Sequence, residues 1–468
     1  MSGLFSALNA SVKALNAESR AIEITGKNLA NVNNTSYARQ RVIFGDRGTV
    51  QTPQGAESLG LEALGVQQIR DALLDKQVTQ EIAISASDTA VQQALQRAQA
   101  SLGENISSTS SASGSTAGSG GLGASIDNFF NAFQSLAAQP TDAGQRQALL
   151  QNASILVDGF QQTDSKLAQV QSDLTTQIQS DVSTANGLLQ SVADLNQQIA
   201  RMEIGHPGSA VDLRDQRQAQ LELLAAKLPI ETRPGTNGMV QVVMKDASNA
   251  DVTLVDGTNV TGPVAFTGTG FTGGASATAL VFSTGSAAGE LTARDGAIQT
   301  LRDNLDLLAG QIVTSVNTAY NPAAAPGGNF FNPAGTAAST IALDSGLTAT
   351  SLQAGTGAAG DNSTALAVAA VSSKVFSTPG DLIDGTVGNF YSSTASNLGQ
   401  SLATANTHVT QQTSIEKLVR TQRDGVSGVS LDEEMANLVT YQRSYEASSR
   451  VFNIIDGLLD TVVNHLGV

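Results

Sequence analysis

Asp212, Asp215 and Glu222 stand at helical spacing, and carboxylates three and seven residues apart share one helix face, as a cation site would require. Arg214 and Arg217 interleave with them, and the stretch reads instead as a solvated, ion-paired helix face. His206, His408 and His465 are scattered and fall in no metal-ligand spacing, so each is read as a surface or turn histidine. Cysteine is absent, which removes disulfides, thiolate metal sites and a Cys nucleophile. Gly268, Gly270, Gly273 and Gly274 could line a phosphate loop, but no helix opening on a Lys-Ser/Thr pair follows them. Ser and Asp are spread along the whole chain, so residue order selects no Ser-His-Asp set. The expectation is no enzyme, with no catalytic, cofactor or metal site.

The chemistry that does repeat is apolar. Met1, Leu8, Leu15, Ile22 and Leu29 recur every seven residues at one end, and Leu431, Leu438, Tyr445, Phe452, Leu459 and Leu466 at the other. Such stripes belong to helices that pack along other helices. Phe5 and Val12 join the first stripe, and Tyr441, Ile455 and Val462 the second. These residues are read as an assembly interface, with the terminal helices pairing as a coiled coil.

The rest of the chain supports a scaffold. In its 468 residues, charged side chains make up 14% and aromatics 4%, with no Trp, which suits long thin helices better than a thick aromatic core. The net charge of -16 excludes nucleic-acid or anionic-membrane partners, both of which need a basic footprint. The run Ala365 to Val371 is too short to span a membrane, and Lys13, Glu18, Arg20 and Glu23 interrupt any cleavable signal peptide.

Helix is expected over 2–32, then a turn at Asn33, Asn34, Thr35 and Ser36, and a strand from Tyr37 to Phe44. A loop or hairpin over 45–62, a strand at Val66 to Arg70 and a helix over 71–102 follow. Ser107 to Gly123 is a Ser/Gly-rich loop by composition. From Ile126 to Leu228 helical periodicity dominates, with Phe160, Leu167 and Leu174, and then Ile178, Ala185, Val192 and Ile199, seven apart. Alternating Val240, Val242 and Met244 and the Asp256-Gly257 turn signal mark a β insert. Ser430 with Glu433 three residues on is a capping box for the last helix.

The fold class is therefore mainly α with inserted β: an elongated multi-domain chain whose helical-bundle body comes from both halves of the sequence. The expected domains are 1–45 plus 428–468 (terminal coiled coil), 46–228 plus 290–427 (helical body) and 229–289 (β). A Gly/Ala/Thr-rich insertion over 321–360 would pack with the β domain.

Particular residues then carry a resemblance. Asn28-Leu29-Ala30-Asn31-Val32-Asn33 with Tyr37-Ala38-Arg39-Gln40, and Leu431-Asp432-Glu433-Glu434 with Tyr441-Gln442, resemble the terminal signatures of bacterial flagellar axial proteins. Phe129-Phe130-Asn131-Ala132-Phe133, Gln145-Arg146-Gln147-Ala148, Asp212-Leu213-Arg214-Asp215-Gln216-Arg217 and Asp361-Asn362 are similar to the hook-associated protein 1 family of hook–filament junction proteins. Where the axial family reads Asn-Thr-Pro-Gly-Tyr, this chain has Asn33-Asn34-Thr35-Ser36-Tyr37. The resemblance implies a secreted structural subunit exported without a cleavable signal peptide. It also implies self-association in a ring or helical lattice, contact with a hook protein and a second junction protein, and an export chaperone on the C-terminal helix. The alternatives are another axial protein, or a secreted adhesin or enzyme with its activity in the β insert.

Magnitudes add one expectation. A helix over 430–466 is roughly 55 Å long, and its seam contributes on the order of 15–20 kcal/mol if fully buried. Ordering its backbone costs about 1 kcal/mol per residue or more. The terms are comparable, so the termini are expected to order against neighbours on assembly.

Overall fold

The structure, a computed structural model, describes residues 2–46, 48–52, 55–58, 60–103, 121–325, 327–357 and 360–465. Met1 and Leu466 of the two stripes, residues 107–120 of the expected loop and the His465 side chain lie outside the described residues. The chain divides into two compact units, residues 1–85, 182–285 and 412–468, and residues 86–181 and 286–411.

In the first unit, α1 (Ser2–Ala30) stops at the Asn-rich turn, where Asn31, Asn34 and Tyr37 donate back to preceding carbonyls. Nested antiparallel ladders follow: β1 (Gln40–Asp46) pairs with β4 (Leu61–Gln68), and β2 (Thr49–Thr52) with β3 (Gly55–Ser58). α2 (Ala72–Leu102) begins here, and Leu74, Asp75, Val78, Thr79 and Ile82 form its inward face. α3 (Leu122–Ala138) belongs to the other unit, and the 60-residue α4 (Ala143–Met202) returns the chain to this one. Its heptad residues Ala185, Val192 and Ile199 are fully buried. After α5 (Val211–Ala225) comes a meander of β5 (Glu231–Pro234), β6 (Val240–Lys245), β7 (Asp251–Asp256) and β8 (Asn259–Val260), with Gly257 at positive φ in the expected turn. A register shift between Val242 and Val243 breaks the alternation and buries both. β9 (Ala265–Phe266), β10 (Phe271–Gly273) and β11 (Thr278–Leu280) form a second small sheet.

The second unit is helical. α6 (Ser286–Ala293) runs through a π turn at Arg294–Ile298 into α7 (Gln299–Tyr320), and α8 (Ser363–Ala369) and α9 (Val387–Ser427) follow. Its core is aromatic at the centre: Phe129 and Phe133 of α3 meet Phe330 at centroid distances of 5.7 and 5.2 Å. Tyr320 meets Phe330 edge-on at 5.4 Å. Each such ring contributes roughly 1.5–3 kcal/mol by burial. Arg146 donates to the Leu352 carbonyl at 2.8 Å, and Asn362 to that of Ala137 at 2.7 Å. These contacts correct the expected packing of 321–360 with the β domain, because Phe330 and Phe331 carry that segment into the aromatic core of this unit. The unit divisions also fall inside α2, α4 and α9 and cut across the expected helical body, while 229–285 groups with both chain ends.

α10 (Leu431–Asp460) closes the fold in the first unit. Ser430 caps it, its side chain accepting from the Glu433 N–H. α10 packs along α1.

Candidate functional site

The two ends of the chain meet in a buried polar cluster. Asn28 is 1% exposed and uses its whole hydrogen-bonding capacity. Its Nδ2 donates to the Gln40 carbonyl at 2.8 Å and to Glu434 Oε2 at 2.9 Å. Its Oδ1 accepts from Tyr37 Oη at 2.8 Å and from the Gln40 N–H at 3.0 Å. Glu434, at the inward side of the first turn of α10, also accepts from Arg39 Nε at 2.7 Å, and Arg39 Nη1 reaches Glu433 at 2.7 Å. Helix α1, the segment entering β1 and helix α10 thus share one network. Burial, then the Asp215, Asp212 and Glu434 carboxylates, raises the Tyr37 hydroxyl and keeps it a neutral donor.

Helix α5 supports this network from outside. Gln40 Nε2 donates to Asp212 at 2.7 Å. Asp215 Oδ1 accepts from the Ala38 N–H, Gln68 and Arg70, the last at 2.6 Å. Arg70 also binds Asp75 at 3.0 Å and the Ser36 carbonyl at 2.9 Å. Burial pushes the Asp215 carboxyl up to about 6 against the pull of Arg70, and raises that of Asp75. At the far end of α5, Glu222 receives Arg423 at 2.7 Å and Arg420 at 3.3 Å, and Arg423 also holds the Thr35 carbonyl.

The expected ion pairs between these carboxylates and Arg214 and Arg217 do not form. Residues two apart on a helix point away from each other, and the partners come from other elements. Nor is this face solvated: Asp215, Arg217 and Glu222 are buried. Arg214 instead makes a two-pronged pair with Glu203 at 2.7 and 2.8 Å. Burial alone would raise the Glu203 carboxyl, but Arg214 and the Gly208 and Ala210 N–H groups outweigh it and hold it low. Arg217 donates to Asn196 and to the Gly238 carbonyl, both at 2.8 Å, and burial followed by the charge of Arg214 lowers its guanidinium to about 10. Asn196 Nδ2 also donates to the Val240 and Gly257 carbonyls. The Asp212–Arg217 motif therefore ties the chain ends to the β meander.

Two family-scale matches decide what this architecture is. Residues 113–331 match the helical domain of the flagellar hook-associated protein FlgK, and residues 424–465 match the C-terminal domain of the flagellar basal body rod proteins FlgEFG. Flagellar hook-associated protein 1 of Bacillus subtilis aligns at 26% identity over 100% of this chain and 99% of its own length.

The chain carries a match to the FlgK helical domain and is similar to flagellar hook-associated protein 1 along its whole length.

Two further members of the family frame the similarity. The Escherichia coli K12 member is 24% identical over 98% of this chain and 99% of its own length. The Salmonella typhimurium member is 28% identical over 54% of this chain and 43% of its own length. The hook junction protein FlgK from Burkholderia pseudomallei superposes on 55% of this chain and 46% of that chain, with a TM-score of 0.46 and 18% identity.

Among the axial-protein signature residues, the structure brings Asn28, Tyr37, Arg39, Gln40, Glu433 and Glu434 together. Asn31 closes the end of α1 by donating to the Lys27 carbonyl, while Asn33, Asp432 and Gln442 are exposed. The stripes fare differently. On α1 the buried face is Ser11, Ala17, Ala21, Ile24, Thr25 and Asn28, a face of mainly small residues. Leu8, Leu15, Ile22 and Leu29 are half-buried, and Phe5 and Val12 are exposed. On α10, Leu459 is buried, Leu438, Tyr441, Phe452, Ile455 and Val462 are half-buried, and Leu431 and Tyr445 are exposed.

Sequence reasoning missed Gln68, Arg70, Asp75, Arg420 and Arg423. One signal was present: Asp75 and Thr79 fall on the same helical face as Val78 and Ile82, where a charged residue needs a buried partner. Among the described residues no cluster of His, Asp and Glu fits a metal ion, and no helix is long and apolar enough to cross a membrane.

Proposed function

We propose that this chain is a structural subunit of the bacterial flagellum that joins hook to filament, and that it acts through packing rather than catalysis. The observation that carries the reading is the state of the chain ends. They are fastened to each other at Asn28 and Glu434, yet leave Leu431, Met435, Val439, Val451, Ile454 and Leu458 of α10 exposed. The match to the FlgK helical domain and the similarity to flagellar hook-associated protein 1 support the same reading.

Energetics favour assembly over a free dimer. Covering those six half-exposed side chains contributes roughly 5–9 kcal/mol. Association costs about 4–15 kcal/mol in lost freedom and side-chain ordering. One contact between two free copies is marginal, and several contacts on a pre-existing tip are not. Copies therefore pack head to tail on the hook, the outer parts of α1 and α10 order as a coiled coil at that step, and they form the inner layer. The hook protein lies on one side and a second junction protein on the other. The same apolar face of α10 receives an export chaperone beforehand.

Electron microscopy of cells lacking the chain tests the proposal. Hooks without filaments, with filament protein lost to the medium, are expected; normal filaments would refute it. Removal of residues 431–468 is expected to give the same phenotype.

A further inference from the structure

α10 carries more apolar surface than α1 covers, and the surplus lies on two flanks. On a heptad frame, Leu438, Tyr441, Phe452, Ile455 and Leu459 form the seam with α1. Met435 and Val439, both exposed, fall to one side of it in the first turns. Val451, Ile454 and Leu458 fall to the other side near the far end, and Ile454 is 63% exposed.

We infer that the first-turn patch of one copy docks on the far-end patch of the next, the two α10 helices running parallel with a stagger of roughly 30 Å, about twenty residues of helix rise. The inference rests on the axial-subunit reading above and names the contact through which copies repeat. Patches of like chemistry on opposite flanks let each copy use both at once, which is the requirement for open, heterologous repetition. With this stagger the two α10 helices overlap over the first turns of one copy and the last turns of the other, where both patches lie. The stagger also sets Arg450 of one copy beside Asp432 of the next. Both are exposed, and among the described residues of its own chain neither makes an ion pair. Opposite charges at the rim fix register without the cost of burial.

The chain has no cysteine, so introduced thiols report the contact cleanly. A chain carrying Val439→Cys and Leu458→Cys together is expected to give a ladder of covalent multimers when assembled flagella are oxidised, and either change alone is not. Filament-bearing flagella without a ladder would overturn the contact and leave the junction reading standing. Asp432→Arg and Arg450→Asp are each expected to lose filaments, and the double reversal to regain them. A double variant no better than either single one would also overturn the contact. Absence of the chain from purified wild-type hook–filament structures would instead overturn the junction reading.

Discussion

Asn28 and Glu434, 406 positions apart in sequence, are joined by a hydrogen bond of 2.9 Å that is sealed from water on both sides. A carboxylate buried this deeply is tolerable because the Asn28 amide and the Arg39 guanidinium both donate to it. The bond sits at the root of the α1–α10 pair, where the segment leading into β1 passes between them.

Asn28→Asp keeps the shape and the acceptor oxygens but removes both donors and adds a charge beside Glu434. Loss of about 3 kcal/mol or more is expected in chemical denaturation. The Gln40 amide, which donates to Asn28, should exchange its hydrogen markedly faster. Glu434→Gln, which retains an acceptor, should cost less. Equal stability of Asn28→Asp and wild type would contradict the role assigned to the amide.

Asp215 gives a sign to the pH dependence. Its folded pKa, about 6, lies above the ordinary value of 3.8, so between these values the folded state holds the extra proton. Its contribution is fully present below about pH 4 and is lost as pH rises through 6, on the order of 3 kcal/mol. Asp75 is raised as well and acts in the same sense. Denaturation at pH 5 and pH 7 should show the first unit more stable at pH 5. Asp215→Asn should flatten that difference to what Asp75 leaves; an unchanged slope would refute the assignment.

Gly238 lies at φ 71°, and a Cβ there would land against the Glu203 carboxylate and the Arg214 guanidinium. Gly238→Ala is expected to cost roughly 2–3 kcal/mol, from left-handed strain and a displaced ion pair. Gly187, in helix α4 with open space around its position, is the contrast: Gly187→Ala should stabilise by up to about 1 kcal/mol. Thermal unfolding of the two variants separates backbone strain from helix propensity.

Limited trypsin digestion of the free chain should cut first at Arg443 and Arg450, on the exposed faces of α10, and at Lys13 in the outer half of α1. Arg39, Arg70 and Arg423, held in the polar cluster, should be cut later. Simultaneous cleavage at both groups would mean that the root is no firmer than the tips.

Much of the helical framework is legible in the sequence because seven-residue apolar spacing states both the element and its inward face. Phe160, Leu167 and Leu174 are buried as that spacing requires, and Ser430 caps α10 as its box predicts. On α1 the same signal misleads. Ala17, Ala21 and Thr25 are small and so weigh little in a hydrophobic pattern, yet small residues allow the closest approach and take the buried face. The polar cluster is half legible. Asn28, Tyr37, Arg39, Gln40 and Glu434 lie in the terminal signatures, but Arg70, Asp75 and Arg423 answer to carboxylates and carbonyls far away in sequence. No spacing rule connects Arg423 to Thr35.

The four bonds of Asn28 have a consequence for synthesis. Three of them form with residues 37 and 40, made moments later, but the fourth waits for Glu434, made 406 positions after Asn28. A polypeptide cut short before that point leaves an amide proton and the Arg39 guanidinium facing an empty place. The fold itself thus distinguishes a chain made through Glu434 from one abandoned before it.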